Sequence, residues 1–190
     1  MAMDPSSFRA FLEGELFEVI EKKKGLVRQD KNIYRAELAY LVSMLTRFVD
    51  TQYFCQHFTN TPLLDLILRQ RSEAPKVALT GLGDFCLFRT GFFPFGFNGR
   101  HNMPRENYIL AGQKAYSLVF ESQNQALEMF RSLALNFPFF SELISEIRLR
   151  NMSGKELVQL GELWMETGSE FAQEALRKRG LLPQGARELS

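Results

Sequence analysis

At 190 residues, with 45% hydrophobic and 24% charged residues, the chain has the length and apolar content of one globular domain and not of a disordered polymer. Twenty-three Lys and Arg against 22 Asp and Glu leave a formal net charge of +1, so overall charge gives no drive toward nucleic acid or an anionic membrane. The apolar runs are far shorter than the roughly 18 residues of a membrane span, the first residues carry acid and lack an apolar signal core, and two cysteines cannot build a disulfide scaffold. The expectation is one cytoplasmic domain over residues 1–190, frayed at 1–5 and 183–190.

Phenylalanine occurs 18 times, against five Tyr and one Trp. Such large flat side chains suit helices that pack at varied angles. No run of four or more residues shows clean period-2 patterning, so the chain reads as all-α, with about eight or nine helices in one compact multi-helix domain.

Taken in chain order, the first helix opens after Asp4-Pro5 and carries Phe8, Phe11, Leu12, Leu16, Val19 and Ile20 on one stripe. It closes at Lys22-Lys23-Lys24-Gly25, where cations suit the negative helix end. The second is capped by Asn32 and places Tyr34, Leu38, Leu41, Val42, Leu45, Phe48 and Val49 at 3.6-residue spacing. A short helix through Tyr53 and Phe54 follows, then one from Thr61-Pro62 over Leu63 to Arg71. The next starts at Ser72 or at Ala74-Pro75 and runs through Val77, Leu79, Leu82, Phe85, Cys86 and Phe88. Thr90 to Arg105 reads mostly as loop, because Gly91, Pro94, Gly96, Gly99 and Pro104 interrupt it. Pro104 opens a helix to about Ser122, Gln123 to Asn136 forms another, and Pro138 starts the next. Ser153 with Glu156 is a capping box, predicting one long final helix to Arg179-Gly180. The predicted core lies among Tyr34–Val49, Val77–Phe88, Pro104–Val119 and Ser153–Lys178.

The segment from Leu82 to Phe97 is the most unusual. Six Phe fall within thirteen residues, punctuated by Gly and Pro. Asp84 and Arg89 stand five apart inside this aromatic run, and a charge placed there needs a partner. One reading is an aromatic pocket or partner groove anchored by Asp84 and Arg89, with Phe88, Phe92, Phe93 and Phe95 as its walls. The other is a buried helix whose charge pair fixes its angle. Downstream, Tyr108-x-x-x-Gly112-x-x-Ala115-Tyr116 sets a small-residue seam on one helix face. Such a glycine permits close helix approach, and the tyrosines Tyr108 and Tyr116 either pack in the core or line a pocket.

The pattern LGD-x-x-LF-x-x-GFFP at Leu82–Pro94, followed by Tyr108, Gly112, Ala115 and Tyr116, resembles an uncharacterised family of bacterial proteins. The resemblance runs from about Leu38 through Leu176 and includes Trp164-Met165-Glu166-Thr167-Gly168-Ser169. It implies a bacterial origin and a helical fold. It brings no catalytic residue.

Other chemistries find little footing. Cys55, His57, Cys86 and His101 are the only Cys and His, and their spacing matches no familiar zinc site. Neither His follows a Glu by three residues, which removes the di-iron bundle pattern. No G-x-S-x-G nucleophile elbow and no phosphate loop is present. The basic clusters at Lys22–Lys24, Arg69 with Arg71, Arg148 with Arg150, and Arg177–Arg179 mostly fall in last helical turns, so nucleic acid is not expected as a partner. The sequence thus assigns no catalytic residue, no metal and no cofactor. It leaves two function classes. One is a non-catalytic domain for protein interaction, self-association or regulation, with its contact surface at residues 91–97. The other is a helical domain that binds an apolar small molecule or cofactor in a Phe-lined cavity.

Overall fold

The computed structural model describes residues 5–24, 35–49, 76–93, 104–122, 128–168 and 170–182. Among them the chain is all-α, with eight helices and no strand: α1 (Pro5–Lys24), α2 (Arg35–Val49), α3 (Lys76–Phe92), α4 (Arg105–Ser122), α5 (Glu128–Leu135), α6 (Phe137–Arg150), α7 (Gly154–Thr167) and α8 (Glu170–Lys178). The expected helices at Tyr53–Phe54 and Leu63–Arg71, the cap Asn32, and the ends expected to fray at 1–5 and 183–190 lie outside the described residues, except for Pro5, which opens α1. No described helix is long and apolar enough to cross a membrane. The chain groups into two compact units, Met1–Ser145 and Glu146–Ser190.

In the first unit, α1 packs on α2, α2 also meets α3 and α5, and α4 packs on α3 and α5. The most extensive of these pairings is α3 with α4. Each outer helix buries one stripe. Leu12, Leu16, Val19 and Ile20 do so on α1, and Leu41, Val42, Met44, Leu45 and Phe48 on α2. α3 differs: every residue from Leu82 to Phe88 is buried. A helix apolar on all sides belongs in the middle of a core, and this segment carries only Asp84 to interrupt that character.

Glycines set how near its neighbours come. A Cβ at Gly83 would sit 2.5 Å from the Tyr116 ring, and one at Gly112 would overlap the Phe137 ring. At Gly91 it would meet Ile144 at 2.7 Å. The Tyr108–Gly112–Tyr116 seam is therefore a close-packed contact, with Gly112 against Phe137 of α6 and Cys86 of α3. By contrast, Gly81 on the same α3 faces open space.

Two boundaries depart from the sequence expectation. Thr90, Gly91 and Phe92 continue α3 instead of opening a loop. The Thr90 hydroxyl lies 2.8 Å from the Cys86 carbonyl, within the helix's own wall. Gly91 serves close packing against α6, with its carbonyl 2.9 Å from the Ser145 hydroxyl. Its smallness is used for contact and does not break the helix. The long last helix, in turn, is two. Gly168 takes a left-handed conformation (φ 64°) and its N–H returns to the Trp164 carbonyl, 2.9 Å away. That is a glycine helix stop, and a new helix begins at Glu170.

In the second unit α7 packs on α8. The Ser153–Glu156 capping box forms as expected. Ser153 Oγ accepts from the Glu156 N–H, and the Glu156 carboxylate accepts from the Ser153 N–H at 2.8 Å. Arg148 also donates to Glu156, which holds that carboxyl near a pKa of about 2, well below its usual range.

Candidate functional site

Asp84 is 3% exposed, in the middle of the fully buried stretch of α3. An ionised carboxylate there needs donors, and two helices supply them. From α2, the Tyr40 hydroxyl donates to Oδ1 at 2.6 Å and Arg47 Nη2 donates to Oδ2 at 3.1 Å. From α4, the Tyr116 hydroxyl donates to Oδ1 at 2.9 Å. Tyr40 and Arg47 are seven residues apart, two helical turns, so both present to the same neighbour. Tyr116 arrives because Gly83, one residue before Asp84, leaves room for its ring. Phe130 of α5 then braces both tyrosines, 5.5 Å edge-on from Tyr40 and 5.7 Å from Tyr116.

The electrostatics follow from burial. Loss of water raises the Asp84 pKa above its ordinary value, and the hydrogen bonds from Tyr40, Tyr116 and Arg47 only partly offset this. Both tyrosine hydroxyls are pushed up, first by burial and then by the facing carboxylate. They stay protonated and act as donors. Burial likewise raises the Cys86 thiol, which favours an inert neutral group over a nucleophile. Asp84 thus has both oxygens engaged by protein groups, and Tyr116 is wholly buried. The cluster ties α2, α3 and α4 together, and the members that reach solvent are Tyr40 and Arg47, both on α2.

The expected pairing of Asp84 with Arg89 is not what forms. Positions five apart on a helix diverge, and Arg89 lies over the outer end of α3. Its Nη1 donates to the Phe93 carbonyl at 3.3 Å and its guanidinium sits 5.6 Å from the Phe93 ring. Arg47 takes the ion-pair role instead. Two residues of the cluster, Tyr40 and Arg47, escaped the sequence reading. Their signal was a polar pair two turns apart on α2, but nothing in one sequence says which neighbour it will meet.

The aromatic candidates form a ladder. Phe48 stacks on Phe88 at 4.7 Å, and Phe88 stacks on Phe92 at 5.0 Å. Phe93 meets both edge-on, at 5.6 Å and 5.3 Å. Burial falls outward along it: Phe88 is buried, Phe92 half-buried, and Phe93 40% exposed. Tyr108 is buried beside Phe85, with ring centroids 6.3 Å apart. Phe95 lies outside the described residues, as do Cys55, His57 and His101. Among the described residues no three His, Cys, Asp or Glu side chains gather as a metal site would need. Several of the basic residues flagged in the sequence are engaged with protein acceptors: Arg148 with Glu156, Arg150 with Glu146, Arg177 with Glu174, and Arg179 with the Arg150 carbonyl.

No family profile, no curated protein and no solved structure matches this chain, so roles here rest on its own geometry.

Proposed function

We propose that this chain is a non-catalytic, cytoplasmic bacterial module for protein interaction or regulation, and that its contact surface is the outer end of α3 at Phe92 and Phe93, continuing toward residue 97. The observation that carries this reading is the outward rise in exposure along the Phe ladder, ending at Phe93, 40% exposed. A rigid aromatic side chain backed by two others suits an interface anchor, because little conformational freedom remains to be lost on binding. The strongest candidate for chemistry, Asp84, is meanwhile engaged by three protein donors.

The test is native mass spectrometry and light scattering on the intact protein and on Phe93→Ser. The reading expects a complex, with itself or with a partner captured from the source cell. The variant should keep its helicity and melt within a few degrees of the wild type, yet associate about thirtyfold more weakly, as for an anchor worth about 2 kcal/mol. A monomer that captures nothing, or a variant that associates as well as the parent, overturns it. A bound small molecule lost on denaturation would instead support the Phe-lined cavity.

A further inference from the structure

A second buried carboxylate in the first unit has no such donors. Glu37, in the first turn of α2, is 5% exposed. No described residue gives it a hydrogen bond or an ion pair. Among the described residues, the only side-chain polar atoms sealed from solvent without a partner are Nε of Arg105 and of Arg177. The Glu37 carboxylate is therefore not sealed. What it borders is an open groove of about 400 Å³ between α2 and α5.

The groove's chemistry is uneven. Glu37 is its one buried lining residue, which makes it the floor. On the rim, Glu128 and Arg131 pair with each other at 3.5 Å, and Arg131 also lies 5.9 Å from the Phe120 ring. That rim pair cancels, so the groove keeps one net negative charge, located at Glu37. Met129 and Leu135 supply an apolar flank, and Leu135 is 68% exposed. A helix N-terminus favours an acid in its first turn, which accounts for Glu37 standing at this position. It does not account for a residue 5% exposed, without a donor among the described residues, at the edge of a groove, because a first-turn acid does as well in water.

We infer that the α2–α5 groove is a binding site for a small organic monocation, a primary ammonium carrying an apolar group, with Glu37 as its counter-ion. One charge matches one charge. The ammonium has three N–H donors for a carboxylate that has none, and the apolar portion lies along Met129 and Leu135. A dication would leave one positive charge unmatched, and an anion would be repelled by Glu37. The volume is at the small end for ligand sites, and the groove is open, so affinity is expected at about the millimolar level.

The test uses phenethylammonium chloride as the probe, with neutral 2-phenylethanol as the control of matching shape, read by amide chemical shifts in the full-length protein. The expected result is saturable binding that shifts residues of α2 around Glu37 and of α5 around Met129. The alcohol should bind at least about tenfold more weakly, and affinity should fall as salt rises. Glu37→Gln, which keeps the shape and removes the charge, should also cost at least about tenfold, as a charge-assisted contact does. Should that variant fold poorly, Glu128→Ala shifts the rim charge by one positive unit and should weaken the probe about threefold. Binding of amine and alcohol alike, binding untouched by Glu37→Gln or by Glu128→Ala, or no saturable binding overturns the inference. A Glu37→Gln protein that is less stable than its parent, in a wild type that binds no amine, assigns Glu37 to the helix end alone.

Discussion

Asp84 and Glu37 are both buried carboxylates of the first unit, 3% and 5% exposed, and the fold treats them in opposite ways. Asp84 stands in the Leu82–Phe88 stretch of α3, where every residue is buried, and three donors from two other helices converge on it. Glu37 stands in the first turn of a helix, at the edge of a groove, with no described donor. A buried charge with internal partners is part of the architecture, because removing it strands those partners. A buried charge without them leaves its hydrogen-bonding capacity for water or a ligand. The comparison teaches that burial alone does not mark a functional acid; the count of internal donors does.

The sharpest way to break this contrast is to delete each acceptor. Asp84→Ala leaves the Tyr40 and Tyr116 hydroxyls and the Arg47 guanidinium without their acceptor. It should cost about 3 kcal/mol in urea unfolding, with Arg47, which is half exposed, recovering part of its loss in water. Asp84→Asn should cost only about 1 kcal/mol, since one amide oxygen can still accept from both tyrosines, which share Oδ1.

Next in size is the packing that brings Tyr116 to Asp84. Gly83→Ala drives a methyl into the Tyr116 ring and should cost about 2 kcal/mol, against a gain of up to about 1 kcal/mol in helix propensity. Gly81→Ala, two residues away on the open side of α3, should stabilise by about 0.5–1 kcal/mol. Calorimetry on the two variants should show melting shifts of opposite sign. Equal shifts would mean that α3 and α4 are not in close contact at Gly83. Removing one donor is smaller: Tyr116→Phe should cost about 1–2 kcal/mol at constant ring packing.

The smallest effect comes from pH. Glu156 titrates far below its usual range, to about 2, chiefly through Arg148 and then through Ser153. Its folded value lies below its unfolded one. Its stabilisation is therefore present above pH about 4.5 and fades as pH falls toward 2. Glu156→Gln should be about 1 kcal/mol less stable than wild type at pH 7, with the gap closing near pH 2. Asp84 has the opposite sign. Its folded pKa is raised, so its contribution is greatest below its ordinary value of 3.8 and declines as pH climbs through the folded pKa. The gap between wild type and Asp84→Asn should thus be larger at pH 4 than at pH 7.

How much of this could be read in the sequence depends on the range over which each feature acts. The stripes of α1 and α2 and the Ser153–Glu156 box follow from local spacing: Leu12, Leu16, Val19, Ile20, Leu41, Val42, Leu45 and Phe48 are buried and the box forms, while Phe11 and Leu38 are half-buried and the side chains of Phe8, Tyr34 and Val49 lie outside the described residues. Asp84 stood out because it interrupts an apolar run, yet its partners lie 37 to 44 residues earlier and 32 later, beyond any local pattern. Gly91 and Gly168 show the same limit. One packs against Ile144 inside a continuing helix, while the other stops a helix at φ 64°. Their residue type is identical, and the difference is tertiary contact in the first case and local conformation in the second. Glu37 gave no signal at all, because an acid in a first helical turn is ordinary and its groove is made by a helix some ninety residues further on.

The most direct test of the central contrast is urea unfolding of Asp84→Ala and Glu37→Gln, side by side at pH 7 with circular dichroism as the readout. The account predicts a loss of about 3 kcal/mol for Asp84→Ala and a change within about 0.5 kcal/mol for Glu37→Gln, since no described internal donor is stranded. Comparable losses in the two variants, or an Asp84→Ala protein as stable as the wild type, would contradict it.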